Sequence, residues 1–293
     1  MYQKTFFEDL IEINYEKKVS LENLRPWSFS KYDTFKSCPI KFFFRYVYKI
    51  EPKRNKYLAF GSGVHLVIEK LLTKPISLKE KNLFNLAKYI KENYEPLFDI
   101  NYFKKYAVNI LNFVKNIKDN GNLFEVEKAY GASEDYIPLN YENKNVFIRG
   151  KVDLILKDKD GIRIIDHKTT GILNNRSLKK ILKTLKEKSS LQLFWYASLV
   201  ALKTQEKNFT ISFFIVKDGK LISKRFEDFD GYKIFKKIKN KLLEVEEKLI
   251  YKNIFEVINI KDFEFYRRKN KALCEYCDYQ NYCLNLFKLL KRE

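Results

Sequence analysis

Apolar positions recur along this chain with two different periods, and the change of period divides it. Residues 28–48, SFSKYDTFKSCPIKFFFRYVY, open with Ser30 and Asp33 at capping-box spacing, which predicts a short helix; Pro39 ends it and suits the first turn of a second. In FGSGVHLVIEKLL, Val64, Val67, Ile68 and Leu71 form one helical stripe, with His65 and Glu69 on a neighbouring one. Residues 80–118 are patterned as helix throughout, rich in Leu, Phe, Tyr and Lys without a persistent heptad, and are expected to form a helical insertion.

From Leu123 the period becomes two. LFEVEKAY, VFIRGKVDLIL and IRIIDHK are three predicted strands, the last two joined through KDKDG as a hairpin. A polar, Lys-rich stretch, NNRSLKKILKTLKEKSS, leads into LQLFWYASLVALK, which is apolar nearly all round and so predicts a buried helix. FTISFFIVK and KLISKRFE predict two more strands joined at Asp218-Gly219; a charged helix follows over roughly 231–251, and CEYCDYQNYC lies near the end. The pattern is α/β. It divides into an N-terminal helical region, 1–122, carrying Cys38 and His65; a core, 123–251; and a Cys-cluster segment, 252–293, together expected to form one integrated domain.

Composition adds a partner class. The 293 residues are 45% hydrophobic, enough for a sizeable core, and carry a net charge of +20, which favours a polyanion such as nucleic acid through phosphate neutralisation. No apolar run approaches the roughly 20 residues of a membrane span, and MYQKTFFEDLIEINYEKK is too charged for a signal peptide, so a cytoplasmic location is expected.

The candidate chemistry sits where an apolar strand ends in charge, at IIDHKTTG. Alternation puts Ile162, Ile164, Asp166 and Lys168 on one face and Arg163, Ile165 and His167 on the other. A two-residue loop at 159–160 sets Asp153 opposite Asp166, and a loop at 160–161 sets Asp153 opposite Lys168; either register gathers the three. Carboxylates about 4.5–5.5 Å apart at Cβ repel on an apolar sheet unless a cation compensates them, and a hard divalent ion such as Mg2+ or Mn2+ suits oxygen ligands. Glu125 or Glu127, on the strand before the hairpin, offers an additional carboxylate.

In this arrangement the chain resembles a RecB-like nuclease of the PD-(D/E)xK superfamily, whose hairpin has the form G-x-x-D followed by D-x-K-T. The matching residues are Gly150 and Asp153 in GKVD, and Asp166, Lys168 and Thr169 in DHKT. Gly61 and His65 match a G-x-x-x-H helix, and Gln192 and Tyr196 a Q-x-x-x-Y helix, in the family's order. The resemblance implies a restriction-endonuclease-like mixed β-sheet core flanked by helices. It implies metal ligation by His65, Asp153, Asp166 and the backbone carbonyl of His167. Lys168 would orient or deprotonate the attacking water or stabilise phosphorane-like charge, and Gln192 and Tyr196 would contact substrate phosphate or support the site. The implied reaction is metal-dependent hydrolysis of phosphodiester bonds in DNA, most simply by an exonuclease on single-stranded ends.

Cys274, Cys277 and Cys283 follow C-x2-C-x5-C, with Cys38 far upstream. This spacing resembles the iron–sulfur subgroup of these nucleases, AddB-like proteins and the CRISPR adaptation exonuclease among them. It implies a structural [4Fe–4S] cluster stapling the N-terminal helices to the C-terminal tail, with Zn2+ as the alternative. Lys36, Lys41 and Arg45 near Cys38, Arg267, Arg268, Lys269 and Lys271 before Cys274, and the Lys-rich segment 179–188 are candidate DNA contacts. No G-x-x-x-x-G-K-[ST] loop occurs, so any helicase would be a separate partner, as would CRISPR adaptation proteins. A non-cleaving nucleic-acid-binding module and a redox-responsive regulator are the competing classes.

Overall fold

The computed structural model describes residues 12–53, 55–120, 123–130, 137–141, 144–169, 191–269 and 271–291. The chain forms two compact units, one from Met1–Lys53, Pro138–Ile148 and Lys237–Glu293, the other from Arg54–Ile137 and Arg149–Lys236. Among the described residues no helix is long and apolar enough to cross a membrane.

In the first unit, Ser20 and Asn23 form a capping box that opens α1 (Leu21–Leu24), followed by the short strand β1 (Trp27–Ser28). The next helix, α2 (Phe29–Ser37), starts one cap earlier than the Ser30–Asp33 spacing predicts, because the Ser28 hydroxyl accepts from Lys31 N–H at 3.2 Å. Cys38 ends it in an extended conformation and caps α3 (Pro39–Phe42), where Pro39 takes the expected first turn; a π-helical turn over Phe43–Val47 follows.

The second unit begins with α4 (Lys56–Thr73), capped by the Asn55 side chain, which accepts from Tyr57 and Leu58 N–H, both at 3.0 Å. The predicted helical stretch from 80 is three helices: α5 (Glu80–Asn93), α6 (Ile100–Lys104) and α7 (Ala107–Asp119). Pro96 has no N–H to continue the ladder, and the chain restarts where Asp99 accepts from Tyr102 N–H at 2.9 Å. Composition hid this break, since apolar residues, Leu97, Phe98, Ile100 and Phe103 among them, run on through it.

Among the described residues seven strands make the sheet: β1, β2 (Leu123–Tyr130), β3 (Ile137–Tyr141), β4 (Lys144–Asp158), β5 (Gly161–Lys168), β6 (Phe209–Ile215) and β7 (Lys220–Phe226). The order is β1-β4-β5-β6-β7, with β2 and β3 also pairing with β4. The hairpin adopts the 159–160 loop, with Leu154 opposite Ile165 and Asp158 opposite Gly161. Strands β5 and β6 are parallel, and a helix between them in sequence, α8 (Leu191–Thr204), packs on both. The sheet is therefore mixed and flanked by helices.

Alternation sorts the two faces as expected. Leu154, Leu156, Ile165, Phe214 and Val216 join Val64, Val67, Ile68, Leu71, Leu83 and Ile110 in one core between the sheet and α4, α5 and α7. Full burial of each such side chain is worth about 1.5–3 kcal/mol. The opposite face lies under α8, whose Leu193, Trp195, Ala197 and Val200 are buried, and Trp195 anchors it by donating Nε1–H to Arg149 O at 3.0 Å.

The first unit resumes with most of α9 (Gly231–Leu249), then α10 (Ile254–Val257), α11 (Ile260–Lys269), α12 (Lys271–Cys274) and α13 (Gln280–Leu290). Its ends are tied together inside this unit. Arg25 and Trp27 both donate to Glu246, at 2.7 and 2.8 Å, and buried Tyr279 donates to Ile50 O at 3.0 Å while stacking on Phe44.

Candidate active site

The site lies where the last residues of β5 run beyond the ladder with β4. The N–H of His167 is taken by the Asp153 carboxylate at 2.8 Å, so the carboxylate inserts between the two strands. The carbonyl of the same residue meets α4, where His65 Nε2 lies 3.1 Å from it. On its other side His65 Nδ1 faces two carboxylates, Asp153 at 3.5 Å and Glu127 at 3.7 Å.

Asp166 is buried, and Lys168, its neighbour on the same face of β5, reaches it at 2.6 Å. Lys168 also donates to Gln192 Oε1 at 3.0 Å, and Gln192 donates to the Tyr196 hydroxyl at 3.2 Å. The i, i+4 spacing on α8 thus turns one helix face into a relay of hydrogen bonds ending on the lysine. Asp153, Asp166, Lys168, His65, the His167 carbonyl, Gln192 and Tyr196 all belong to the second unit and are brought together there.

Of the two motif glycines, Gly150 has a steric cause, whereas a Cβ on Gly61 would make only ordinary contact. A Cβ on Gly150 would lie 2.7 Å from Leu199 and 3.1 Å from the Tyr196 ring, so only glycine lets α8 approach β4 this closely. A Cβ on Gly61 would touch the Thr169 hydroxyl at 3.4 Å, one turn of α4 before His65.

The electrostatics push the titratable groups apart. Burial works against charge on Asp153, but its contacts with His65 and His167 outweigh it and hold the carboxyl down to about 2. Burial would lower His65, yet its bonds to Asp153 and Glu127 push it up to about 10. For Asp166 burial wins over Lys168 and, with Asp153 adding repulsion, raises the carboxyl to about 6. His167, wholly enclosed, is pushed down to about 4 by burial and is neutral.

Glu127 is the residue that sequence reasoning left undecided. Glu125 and Glu127 share a strand face, and period two cannot separate them. The backbone does: Glu127 has φ +52°, which distorts β2 opposite Asp153 and turns the side chain to His65 and to Lys151, 2.6 Å away. Glu125 instead pairs with Lys128 and Tyr130.

The donor set fits a divalent cation. Carboxylate oxygens from Asp153 and Asp166, a backbone carbonyl and one imidazole suit Mg2+ or Mn2+. Among the described residues, one nitrogen each of His65 and His167 and one oxygen of Asp153 lie mutually within 4.8 Å.

The four cysteines meet elsewhere, in the first unit. Cys38, Cys274, Cys277 and Cys283 line one cavity of about 600 Å3, with Arg267, Arg268 and Lys271 also in its wall. Burial raises the thiols of Cys38, Cys274 and Cys283, and the neighbouring sulfurs raise them further. Cys38 is held by its capping role, its sulfur accepting from Lys41 N–H at 3.5 Å. Such a donor set fits a thiolate-ligated metal group. The Lys-rich segment 179–188 lies outside the described residues.

No curated protein matches the sequence. Among solved structures, the crystal structure of SSO0001 is similar to this chain at 10% identity and a TM-score of 0.29, over 75% of this chain and 82% of that one. The profile of the PD-(D/E)XK nuclease superfamily matches residues 26–284, a span that holds the carboxylates, the lysine, His65 and all four cysteines. The chain belongs to the PD-(D/E)XK nuclease superfamily.

Proposed function

We propose that this protein is a Mg2+- or Mn2+-dependent deoxyribonuclease that hydrolyses phosphodiester bonds at single-stranded DNA ends, with a structural [4Fe–4S] cluster held by Cys38, Cys274, Cys277 and Cys283. The observation that carries the reading is the convergence of Asp153, Asp166, His65, the His167 carbonyl and Lys168 at the end of β5. A divalent cation bound there supplies Lewis-acid stabilisation of the scissile phosphate and a lowered pKa for the attacking water.

The chain's own residues do the rest. Asp153 and Asp166 hold negative charge that binds the cation, and Asp166 does so once ionised, above its raised value of about 6. Lys168, oriented by Gln192 and through it by Tyr196, points its ammonium at the carboxylate side of the site. There it is placed to hold the attacking water or to neutralise charge growing on the phosphate. His65 surrenders a proton to take its place as a ligand.

DNA as substrate is supported by the net charge of +20, and single-stranded ends by the interleaving of basic and aromatic residues around the cysteines. The four cysteines lining one cavity fit a thiolate-ligated cluster, and the thiolates would stay reduced in a cytoplasmic setting. Asp153, Asp166 and Lys168 are all present and in contact with partners, which counts against a non-cleaving module.

The test is cleavage of 5′- and 3′-labelled single and double strands with and without Mn2+, beside a visible spectrum of anaerobically purified protein. Expected are metal-dependent products released from single-stranded ends, loss of cleavage in Asp166→Ala and Lys168→Ala, and a broad absorption band from the cluster. Cleavage in EDTA, or by both variants at wild-type rate, would refute the nuclease reading; a colourless protein carrying zinc would refute the cluster.

A further inference from the structure

His167 is the polar side chain that the proposed mechanism does not use. It is 3% exposed, and among the described residues neither ring nitrogen has a hydrogen-bond partner. Its walls are aromatic, with Phe113 and Phe214 edge-on at 5.6 and 6.1 Å. A phenylalanine would fill that space with no polar atom to desolvate, so a buried imidazole there calls for a partner.

The ring also looks onto charge. Its Nδ1 lies 3.9 Å from Asp153 Oδ2, and the His65 ring is 5.3 Å away. A nitrogen of each ring and an Asp153 oxygen fall within 4.8 Å of one another. Bonds of about 2.1 Å put neighbouring donors roughly 3 Å apart around an ion, a contraction within the reach of side-chain rotation.

We infer that the imidazole of His167, not only its backbone carbonyl, is a ligand of the divalent centre, completing a two-histidine set with His65 and Asp153. The inference rests on the reading of this site as a metal centre. It changes the ion the site selects: two imidazoles favour transition metals, Mn2+ among them, over Mg2+, which is confined more strictly to oxygen donors.

The chain contains just two histidines, so counting imidazoles on bound metal is decisive in the wild-type protein without a histidine tag. Pulsed electron paramagnetic resonance of the full-length protein loaded with Mn2+ should show two coupled imidazole nitrogens. His167→Phe should show one, with Mn2+ affinity reduced about tenfold or more and Mg2+ affinity changed much less, both by calorimetry. One imidazole in the wild type, or equal Mn2+ affinity in His167→Phe, would overturn this inference and leave the metal-dependent nuclease intact. Absence of any Mn2+ binding by the wild type would overturn both. If His167→Phe does not fold, the wild-type count still decides.

Discussion

The chain holds two clusters of ligating side chains built on opposite plans. The carboxylate site is assembled on a sheet, and its charges answer one another at close range: His65 against Asp153 and Glu127, Lys168 against Asp166. The cysteine cluster is assembled on helix ends and turns, and the thiols of Cys38, Cys274 and Cys283 are raised by burial and by their neighbours. The first arrangement is stabilised by its own contacts. In the second, the Arg267 guanidinium works against the raised values of Cys274 and Cys283, and Lys41 N–H donates to Cys38, but burial prevails. With the proposed cluster bound, the carboxylate site is preorganised by its own contacts while the cysteines depend on a ligand, which predicts that the two clusters fail in different ways.

The largest effect separates them directly. Asp153→Ala or Lys168→Ala should lower cleavage by about 10^3-fold or more while leaving the visible spectrum and melting temperature of the first unit's cluster unchanged. Cys283→Ser should do the reverse, bleaching the spectrum and lowering the melting temperature by roughly 5–15 °C, the scale of losing a structural cross-link. Loss of the spectrum in Lys168→Ala would show that the clusters are not independent and break the comparison.

Next in size is a pH effect confined to the carboxylate site. Asp166 has a folded value of about 6, above its ordinary 3.8, so its contribution favours the fold at low pH and is lost as pH rises through that window. Asp153, held at about 2, contributes stability above its ordinary 3.8 that is lost as pH falls toward 2. In EDTA, the melting temperature of Asp166→Asn relative to wild type should therefore rise between pH 4 and pH 6. Saturating Mn2+ should abolish that rise, because a bound cation favours the ionised carboxylate. A difference flat across this range would show that Asp166 is ionised without help.

Much of the carboxylate site was legible because its residues declare themselves locally. Asp166 and Lys168 share a strand face by period two, and a short loop folds Asp153 back beside them whichever register is chosen. The family likeness supplied His65, Gln192 and Tyr196, which no spacing argument ties to a site across so many residues. Two things stayed hidden. Glu127 is distinguished from Glu125 by a backbone angle of +52°, which sequence pattern does not encode. The break between α5 and α6 is set by Pro96 and the Asp99 cap, yet apolar residues run on through it, so the helical stretch looked continuous. The segment 172–189 falls outside the described residues apart from what its composition says.

A smaller effect sharpens the first plan. If opposite charges orient His65, Glu127→Gln should keep the strand and a hydrogen-bonding group but weaken the hold on the imidazole. Divalent-ion affinity should drop about tenfold, the scale for groups that orient a metal ligand, with cleavage recovering at high metal concentration. Calorimetric titration and a metal-dependence curve check this. Unchanged affinity would leave Glu127 as a partner of Lys151 and nothing more.

The smallest effect tests packing rather than charge. Gly150 carries no ligand and touches no phosphate, yet α8 lies so close that an added methyl would press on Leu199 and on the Tyr196 ring. Leu199 is fully buried and has little room to move, so the strain should be shared by the helix, costing about 1–3 kcal/mol as overpacking. That corresponds to roughly 2–10 °C in melting temperature for a unit of this size. Displacing Tyr196 also loosens Gln192, and through it Lys168, so Gly150→Ala should reduce turnover several-fold at saturating metal while metal affinity holds. The sign of that split matters. A loss of metal affinity with normal turnover would mean that the α8 face supports the carboxylates, and that the lysine is oriented by Asp166 alone.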